Sequence, residues 1–222
     1  MQKCVFITGG SRGIGQAIAC QYQQAGYEVI SPTRAELDLS SVSSIKDYLA
    51  ERGSRKVDVL INNAGENRIS SLDDLEVEDW QRIQMVNLTA PLLLIQHMVP
   101  YMMQQGWGRV VNISTIYSLL SRPGRAPYSA SKAGLNALTR SAALEYANRN
   151  VLVNAICPGF VETDLTHQNN TPVQIEALRT QIPLGRLATA IEIAELVFHL
   201  GSERNTYITG QTIIIDGGFT LQ

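Results

Sequence analysis

The segment Thr8-Gly9-Gly10-Ser11-Arg12-Gly13-Ile14-Gly15 decides the fold because of what flanks it. Cys4–Thr8 before it is a short apolar run of strand character, and helical spacing begins near Gly13 and lasts to about Ala25. A strand, a glycine-rich turn and a helix make the first half of a βαβ unit. Glycines permit a tight turn, and they let backbone N–H groups and the helix N-terminus approach a pyrophosphate. A plain strand–helix turn is the alternative. Placement in the first βαβ unit favours a dinucleotide, and neither the spacing nor the missing Lys-Ser/Thr ending fits a P-loop.

Outward from this turn, apolar β-branched runs alternate with helical stretches. Strands are expected at Tyr27–Ser31, Leu37–Leu39, Val57–Asn62, Arg109–Ile113, Leu152–Ile156 and Thr212–Ile215. Helices are expected at Ser41–Glu51, Glu78–Gln105, Tyr128–Asn148 and Ile191–Leu200, with Pro100 marking a break near the end of the second. This alternation predicts a parallel sheet covered on both faces. The unbroken apolar runs of Val57–Ile61 and Thr212–Ile215 suggest strands buried on both sides. Only Pro32–Glu36 separates the second strand from Leu37, whereas a crossover normally takes about a dozen residues. The expected architecture is α/β, a single-domain Rossmann fold over residues 1–222. Its sheet is doubly wound and parallel, with helices on both faces and a shortened second crossover.

Composition narrows the function classes. The chain has 222 residues, 45 % hydrophobic and 17 % charged, which suits one packed domain. A net charge of −2 offers no basic field for nucleic acid or anionic lipid. Cys4, Cys20 and Cys157 are scattered and odd in number, as expected of reduced thiols in a cytoplasmic protein. There is no leader-like N-terminus and no apolar run of membrane-spanning length. His97, His167 and His199 lack metal-ligand spacing, so no metal site is expected. Trp80 and Trp107 suit packing, with a place beside an active-site cleft as the alternative.

Chemistry enters with Tyr128 and Lys132 in Pro127-Tyr128-Ser129-Ala130-Ser131-Lys132. A phenol has a pKa near 10 and is a poor proton donor at neutral pH. A lysine one helical turn on places a positive charge beside it, which should lower that pKa and make Tyr128 a general acid or base. A packed tyrosine beside a solvated lysine is the bland alternative.

Together these segments resemble the short-chain dehydrogenase/reductase family of single-domain type. Thr8, Gly9, Gly13 and Gly15 match its glycine turn, and Asn62-Asn63-Ala64-Gly65 its motif after the fourth strand. Asn87 matches its helix asparagine, Tyr128 and Lys132 its Tyr-x-x-x-Lys, Pro158-Gly159 its Pro-Gly, and Thr209–Gly218 its ending. The resemblance implies hydride exchange between a nicotinamide and a carbonyl or secondary alcohol, close to the 3-oxoacyl-carrier-protein reductases. It implies Tyr128 as proton donor, Lys132 as its modulator and ribose ligand, and Asn87 as holder of a water. The implied cofactor contacts are Gly9, Ser11, Arg12, Gly13, Ile14, Gly15, Asn63, Ala64, Gly65, Pro158, Gly159 and Thr163, with Asp38 on the adenine. The hydroxyl that polarises the carbonyl stands thirteen residues before the tyrosine in the family. Here that position is Thr115, with Ser114 as the alternative. Residues 164–183 resemble the family's substrate lid, and a homotetramer or dimer is implied.

Cofactor choice rests on the second strand's end. An acidic residue there binds a ribose 2′-OH, and a basic one accommodates a 2′-phosphate. Thr33-Arg34 and Arg12 favour NADP(H), with Glu36 close enough to complicate that preference if the register shifts. The substrate is expected to be a small carbonyl or alcohol compound, free or carrier-bound, with Arg149 as a weak candidate for carrier docking. The alternatives are an NAD-linked sugar, polyol or small-alcohol dehydrogenase and a non-catalytic NADP(H) sensor.

Overall fold

The computed structural model describes residues 2–52, 56–163, 166 and 171–221. The strands are β1 (Cys4–Ile7), β2 (Glu28–Ile30), β3 (Val59–Asn62), β4 (Gly108–Ile113), β5 (Val151–Pro158), β6 (Val161–Glu162), β7 (Ala188–Thr189) and β8 (Thr212–Ile215). The helices are α1 (Gly13–Gln24), α2 (Val42–Arg52), α3 (Val77–Gln84), α4 (Ala90–Gln105), α5 (Ala126–Tyr146), α6 (Pro172–Thr180) and α7 (Ala190–Leu200). Among the described residues the main sheet is parallel, in the order β2-β1-β3-β4-β5-β8, and β6 pairs with β7 outside it.

Alternation along each strand sends side chains to two separate cores. Phe6, Leu60 and Val110 pack with α2, α4 and α5 on one face. Val5, Ile7, Val59, Ile61 and Val111 pack with Ile18 and Tyr22 of α1 and Ile193 and Val197 of α7 on the other. Both faces are therefore covered, which is why the central strands read as apolar throughout. β8 departs from that expectation. It is an edge strand of this chain, only partly buried, with Ile214 43 % exposed.

The second crossover is longer than the sequence suggested: it runs from β2 to β3 at Val59 and keeps a helix, α2. Leu37–Leu39 is not a strand; the chain turns at 34–36 and enters α2 at Val42, leaving β2 as the sheet edge. The apolar character that suggested a strand has a different cause. Leu37 is buried in the core layer that holds Phe6, Ile45 and Leu49, a burial that contributes roughly 1.5–3 kcal/mol and pins the loop.

Pro100 does not end its helix either. α4 runs on to Gln105 and stops at Gly106, in the left-handed region at φ 68°. The irregularity lies upstream, where Met85–Thr89 forms a π-helical turn. Pro91 lacks the N–H that would bond the carbonyl of Asn87 four residues back, so the regular ladder fails there and the backbone widens. Asn87 sits in the middle of that turn.

Candidate active site

The glycine turn is clamped before anything binds to it. Thr8 Oγ1 accepts from the N–H groups of Asn63 and Ala64, each at 3.0 Å, while Asn63 Nδ2 donates to the carbonyls of Thr8 and Gly9, each at 3.0 Å. These bonds join the ends of β1 and β3, where the strand order reverses and a crevice opens. Close approach explains the glycines: a Cβ on Gly15 would lie 2.1 Å from the Gly9 carbonyl oxygen, and Gly13 has φ 54°. The cleft above the turn has a volume of about 550 Å³, and Gly9, Ser11, Arg12, Gly13, Ile14, Gly15, Asn63, Ala64 and Gly65 all line it. Thr163 joins them, 3.5 Å from where a Gly13 Cβ would stand. Pro158 is buried in β5 and Gly159 packs against Asp216, so these two support the cleft from outside its lining. The turn, the helix N-terminus and the cleft volume fit a dinucleotide.

At the other end of the cleft, Arg34 and Asp38 line the wall. The sequence suggested no carboxylate at the end of β2, but folding brings one back. Glu36 Oε2 accepts from the Thr33 N–H at 2.7 Å and the Thr33 hydroxyl at 2.8 Å. Asp38 Oδ1 accepts from the Ser40 hydroxyl at 2.7 Å and the Ser40 N–H at 3.0 Å. These bonds hold its carboxyl below the usual range against a smaller burial cost, with help from the charges of Arg34 and Arg82. Arg82 of α3 reaches the same cleft and donates through Nε to Glu66 Oε1 at 2.7 Å.

The reactive corner lies beyond Gly65. A Cβ on that glycine would stand 3.5 Å from both Asn87 Oδ1 and Lys132 Nζ. Asn87 is fully buried and its side chain is fully engaged: Oδ1 accepts from the Glu66 N–H at 2.8 Å, and Nδ2 donates to the Glu66 carbonyl at 2.8 Å and to Ser131 Oγ at 3.0 Å. That side chain positions the loop, with both Nδ2 hydrogens used and one bond accepted by Oδ1. Lys132, also buried, donates to the Ile113 carbonyl at 2.7 Å, and burial pulls its pKa down to about 8.

Tyr128 lies one turn earlier on α5. Its hydroxyl accepts from Thr115, and Arg125 adds a favourable charge, yet burial outweighs both and raises the phenol's pKa. The net downward shift expected from Lys132 is therefore reversed. The two hydroxyl candidates separate cleanly. Thr115 bonds the phenol and also accepts from the Tyr117 N–H at 3.3 Å, whereas Ser114 turns its hydroxyl towards the Lys132 carbonyl at 3.4 Å.

Some residues escaped the sequence reading. Arg82 and Glu66 line the cleft, and Ser118 links the corner to the interior by donating to the Thr115 carbonyl at 2.6 Å and accepting from Asn136 Nδ2 at 2.8 Å. Arg82 could have been found from its spacing to Val86, a lining residue one helical turn on. Trp107 lies outside the cleft lining, under Lys3 at 3.6 Å and Arg109 at 4.6 Å, just before β4. In the expected lid, α6 carries a Thr171–Gln174 capping box and packs Ile175 with Ile182, Leu187 and Phe160. Residues 164, 165 and 167–170 of that segment lie outside the described residues.

A family profile described as enoyl-(acyl carrier protein) reductase matches residues 31–220. The 3-oxoacyl-[acyl-carrier-protein] reductase of Aquifex aeolicus (strain VF5) is 38 % identical over 240 aligned positions, covering 97 % of this chain and 96 % of the relative. The alignment is longer than the 222-residue chain, so the relative carries segments that this chain lacks. A solved protein of the short chain dehydrogenase/reductase family superposes with a TM-score of 0.90 at 30 % identity, covering 98 % of this chain and 97 % of the other. A candidate NAD(P)-dependent gluconate 5-dehydrogenase from Beutenbergia cavernae, solved with NADP bound at low occupancy, gives 0.93 at 30 % identity, covering 99 % and 97 %. Among the described residues, no helix is long and apolar enough to cross a membrane.

Proposed function

The chain belongs to the short-chain dehydrogenase/reductase family, and from that premise we propose an NADP(H)-dependent ketone reductase that interconverts a carbonyl and a secondary alcohol. The observation that carries this is Lys132 beside Gly65, a lining residue of the cleft built on the glycine turn, with Tyr128 one helical turn earlier and hydrogen-bonded to Thr115.

When bound, the nicotinamide supplies or takes the hydride. The residues of the chain handle the proton and the charge. Thr115 polarises the carbonyl oxygen from a fixed extended backbone, as an oxyanion-type donor. Tyr128 gives its proton to the same oxygen, and its raised pKa suits a group that must stay protonated until then. Lys132 becomes the counter-charge that steadies the phenolate left behind. The Asn87 carbonyl offers a seat for a water between Lys132 and solvent. Gly9 through Gly15, with Asn63, Ala64 and Thr163, hold the pyrophosphate and nicotinamide half, Pro158 and Gly159 support it, and Asp38 meets the adenine. Arg12 and Arg34 supply two cations for a 2′-phosphate, in keeping with the NADP named for the gluconate 5-dehydrogenase structure.

The whole chain works as one unit, with α6 and its approach as a substrate lid. A carrier-borne 3-oxoacyl chain, the substrate class in the name of the Aquifex relative, is one candidate for the ketone. The scattered cysteines Cys4, Cys20 and Cys157 suit the cytoplasm. Exposed Ile214 on edge strand β8, with Leu221 beyond it, supplies apolar surface for a homo-oligomer.

One observation favours a second reading: Glu36 at the end of β2 could serve a ribose 2′-OH, as in an NAD-linked alcohol dehydrogenase. Titration of the protein with NADPH and, separately, NADH, followed by nicotinamide fluorescence, tests both. Binding of NADPH much tighter than NADH is the expected result. The reverse preference would select the second reading, and binding of neither would remove the dehydrogenase assignment from this chain's function.

A further inference from the structure

The loop between Thr115 and Tyr128 carries two arginines that do not line the cofactor cleft. Arg122-Pro123-Gly124-Arg125 forms a tight turn: the Arg125 N–H donates to the Arg122 carbonyl at 3.1 Å, and Gly124 has φ 78°. Proline second and a positive-φ glycine third are what a type II turn requires, so both arginines are set by the backbone. The turn is also tethered, since the Ser70 N–H donates to the Gly124 carbonyl at 3.3 Å and Ile69 leaves no room for a Cβ there.

Both guanidinium groups converge on Tyr117, just past Thr115. Arg122 Nη1 donates to the Tyr117 hydroxyl at 3.4 Å, and the Arg125 guanidinium lies 5.5 Å from the centre of the Tyr117 ring. The Arg125 charge also acts on the Tyr128 phenol. Among the described residues Arg122 and Arg125 have no carboxylate within ion-pair distance, as is also true of Arg12, Arg34, Arg109, Arg140, Arg149 and Arg204. Neither Arg122 nor Arg125 lines the cofactor cleft. Two uncompensated cations on a rigid turn therefore direct positive potential at the substrate side of the tyrosine.

We propose that Arg122 and Arg125 form a carboxylate-binding subsite, and that the substrate is a small oxo acid whose anionic group is held there while its ketone faces Thr115 and Tyr128. This rests on the ketone-reductase reading and narrows it from carbonyl compounds in general to anionic ones. Guanidinium groups suit the task because they pair with carboxylates through charge-assisted, often bidentate hydrogen bonds.

The test compares acids with their uncharged esters on the cofactor-loaded protein. Acetoacetate and 4-oxopentanoate, each against its methyl ester, are titrated calorimetrically into protein saturated with NADP⁺. We expect each acid to bind at least about tenfold tighter than its ester, and Arg125→Gln to abolish that preference by weakening the acid about tenfold. Arg122→Gln, whose side chain is more exposed, repeats the measurement if the first variant does not fold. Equal affinity for acid and ester, or binding of neither by protein that holds NADP⁺, overturns the subsite. An arginine effect seen only with a carrier-bound 3-oxoacyl substrate also overturns it, assigning the pair to an acidic carrier surface. Failure of the unmodified protein to bind NADP⁺ or NADPH is a different result and sinks the dehydrogenase reading itself.

Discussion

The two ends of the cleft are built on opposite principles. At the reactive end, Asn87, Lys132, Ser114 and Thr115 are all buried, and each has a hydrogen-bond partner fixed by a neighbouring element. At the far end, Thr33, Arg34 and Glu36 are exposed or nearly so, on a loop pinned by Leu37. Burial makes an unpaired polar group expensive, so the reactive end tolerates one arrangement. An exposed loop carries no such penalty and can change its charges freely, which is where cofactor preference is cheapest to alter.

The largest expected effect is at the buried end. Tyr128→Phe removes the proposed proton donor but none of the cleft lining, so turnover should fall about 10²–10⁴-fold with NADPH affinity retained. Steady-state rates beside a fluorescence titration check this, and parallel loss of binding would count against the assignment. Next, Thr115→Val keeps the branched shape and deletes the hydroxyl that bonds the phenol. A fall of about 10²–10³ in kcat is expected, against a few-fold at most for Ser114→Ala. Reversal of that order would transfer the carbonyl to Ser114.

Lys132 supplies a stability test. Its pKa in the folded protein is about 8, below the 10.5 of an unperturbed lysine. Below pH 8 both states carry the proton and the folded protein bears the full cost of burying the charge. Between about 8 and 10.5 only the unfolded chain remains protonated, so stability rises with pH. A shift of this size corresponds to roughly 3 kcal/mol. Denaturant unfolding of the unliganded protein and Lys132→Met at pH 7, 9 and 10.5 should show the unmodified protein gaining on the variant by about that amount. A pH-independent difference would mean the charge is not buried as described.

The smallest effect belongs to the exposed end. Arg34→Ala should weaken NADPH about tenfold and leave NADH within a factor of about two. Equal weakening of both would assign Arg34 to the shared part of the dinucleotide.

Much of this molecule was legible in one dimension. The glycine turn and Asn63–Gly65 are short patterns whose geometry is set within a few residues, and they line one cleft, while Tyr128 and Lys132 lie one turn apart on α5. Alternating apolar runs sufficed for a parallel sheet with two covered faces, because burial on both sides leaves a strand no polar face. Leu37–Leu39 shows the limit of such patterns. A buried leucine satisfies the same hydrophobic demand in a loop as in a strand, and only the packing of Leu37 against the core distinguishes the two.

What the sequence alone determined is the fold class, the glycine turn between β1 and α1 and the placing of Tyr128 and Lys132 one turn apart on α5, all of which depend on contacts close along the chain. Tertiary structure decided the rest: that Thr115, not Ser114, faces the phenol; that Glu36 folds back to the end of β2; that the Asn87 side chain is consumed by Glu66 and Ser131; and that Tyr128 is raised rather than lowered. Each of these depends on distance and burial among residues brought together by folding. A charge or hydrogen bond acts through space, and residue spacing along the chain does not record which groups the packed sheet and helices leave in water.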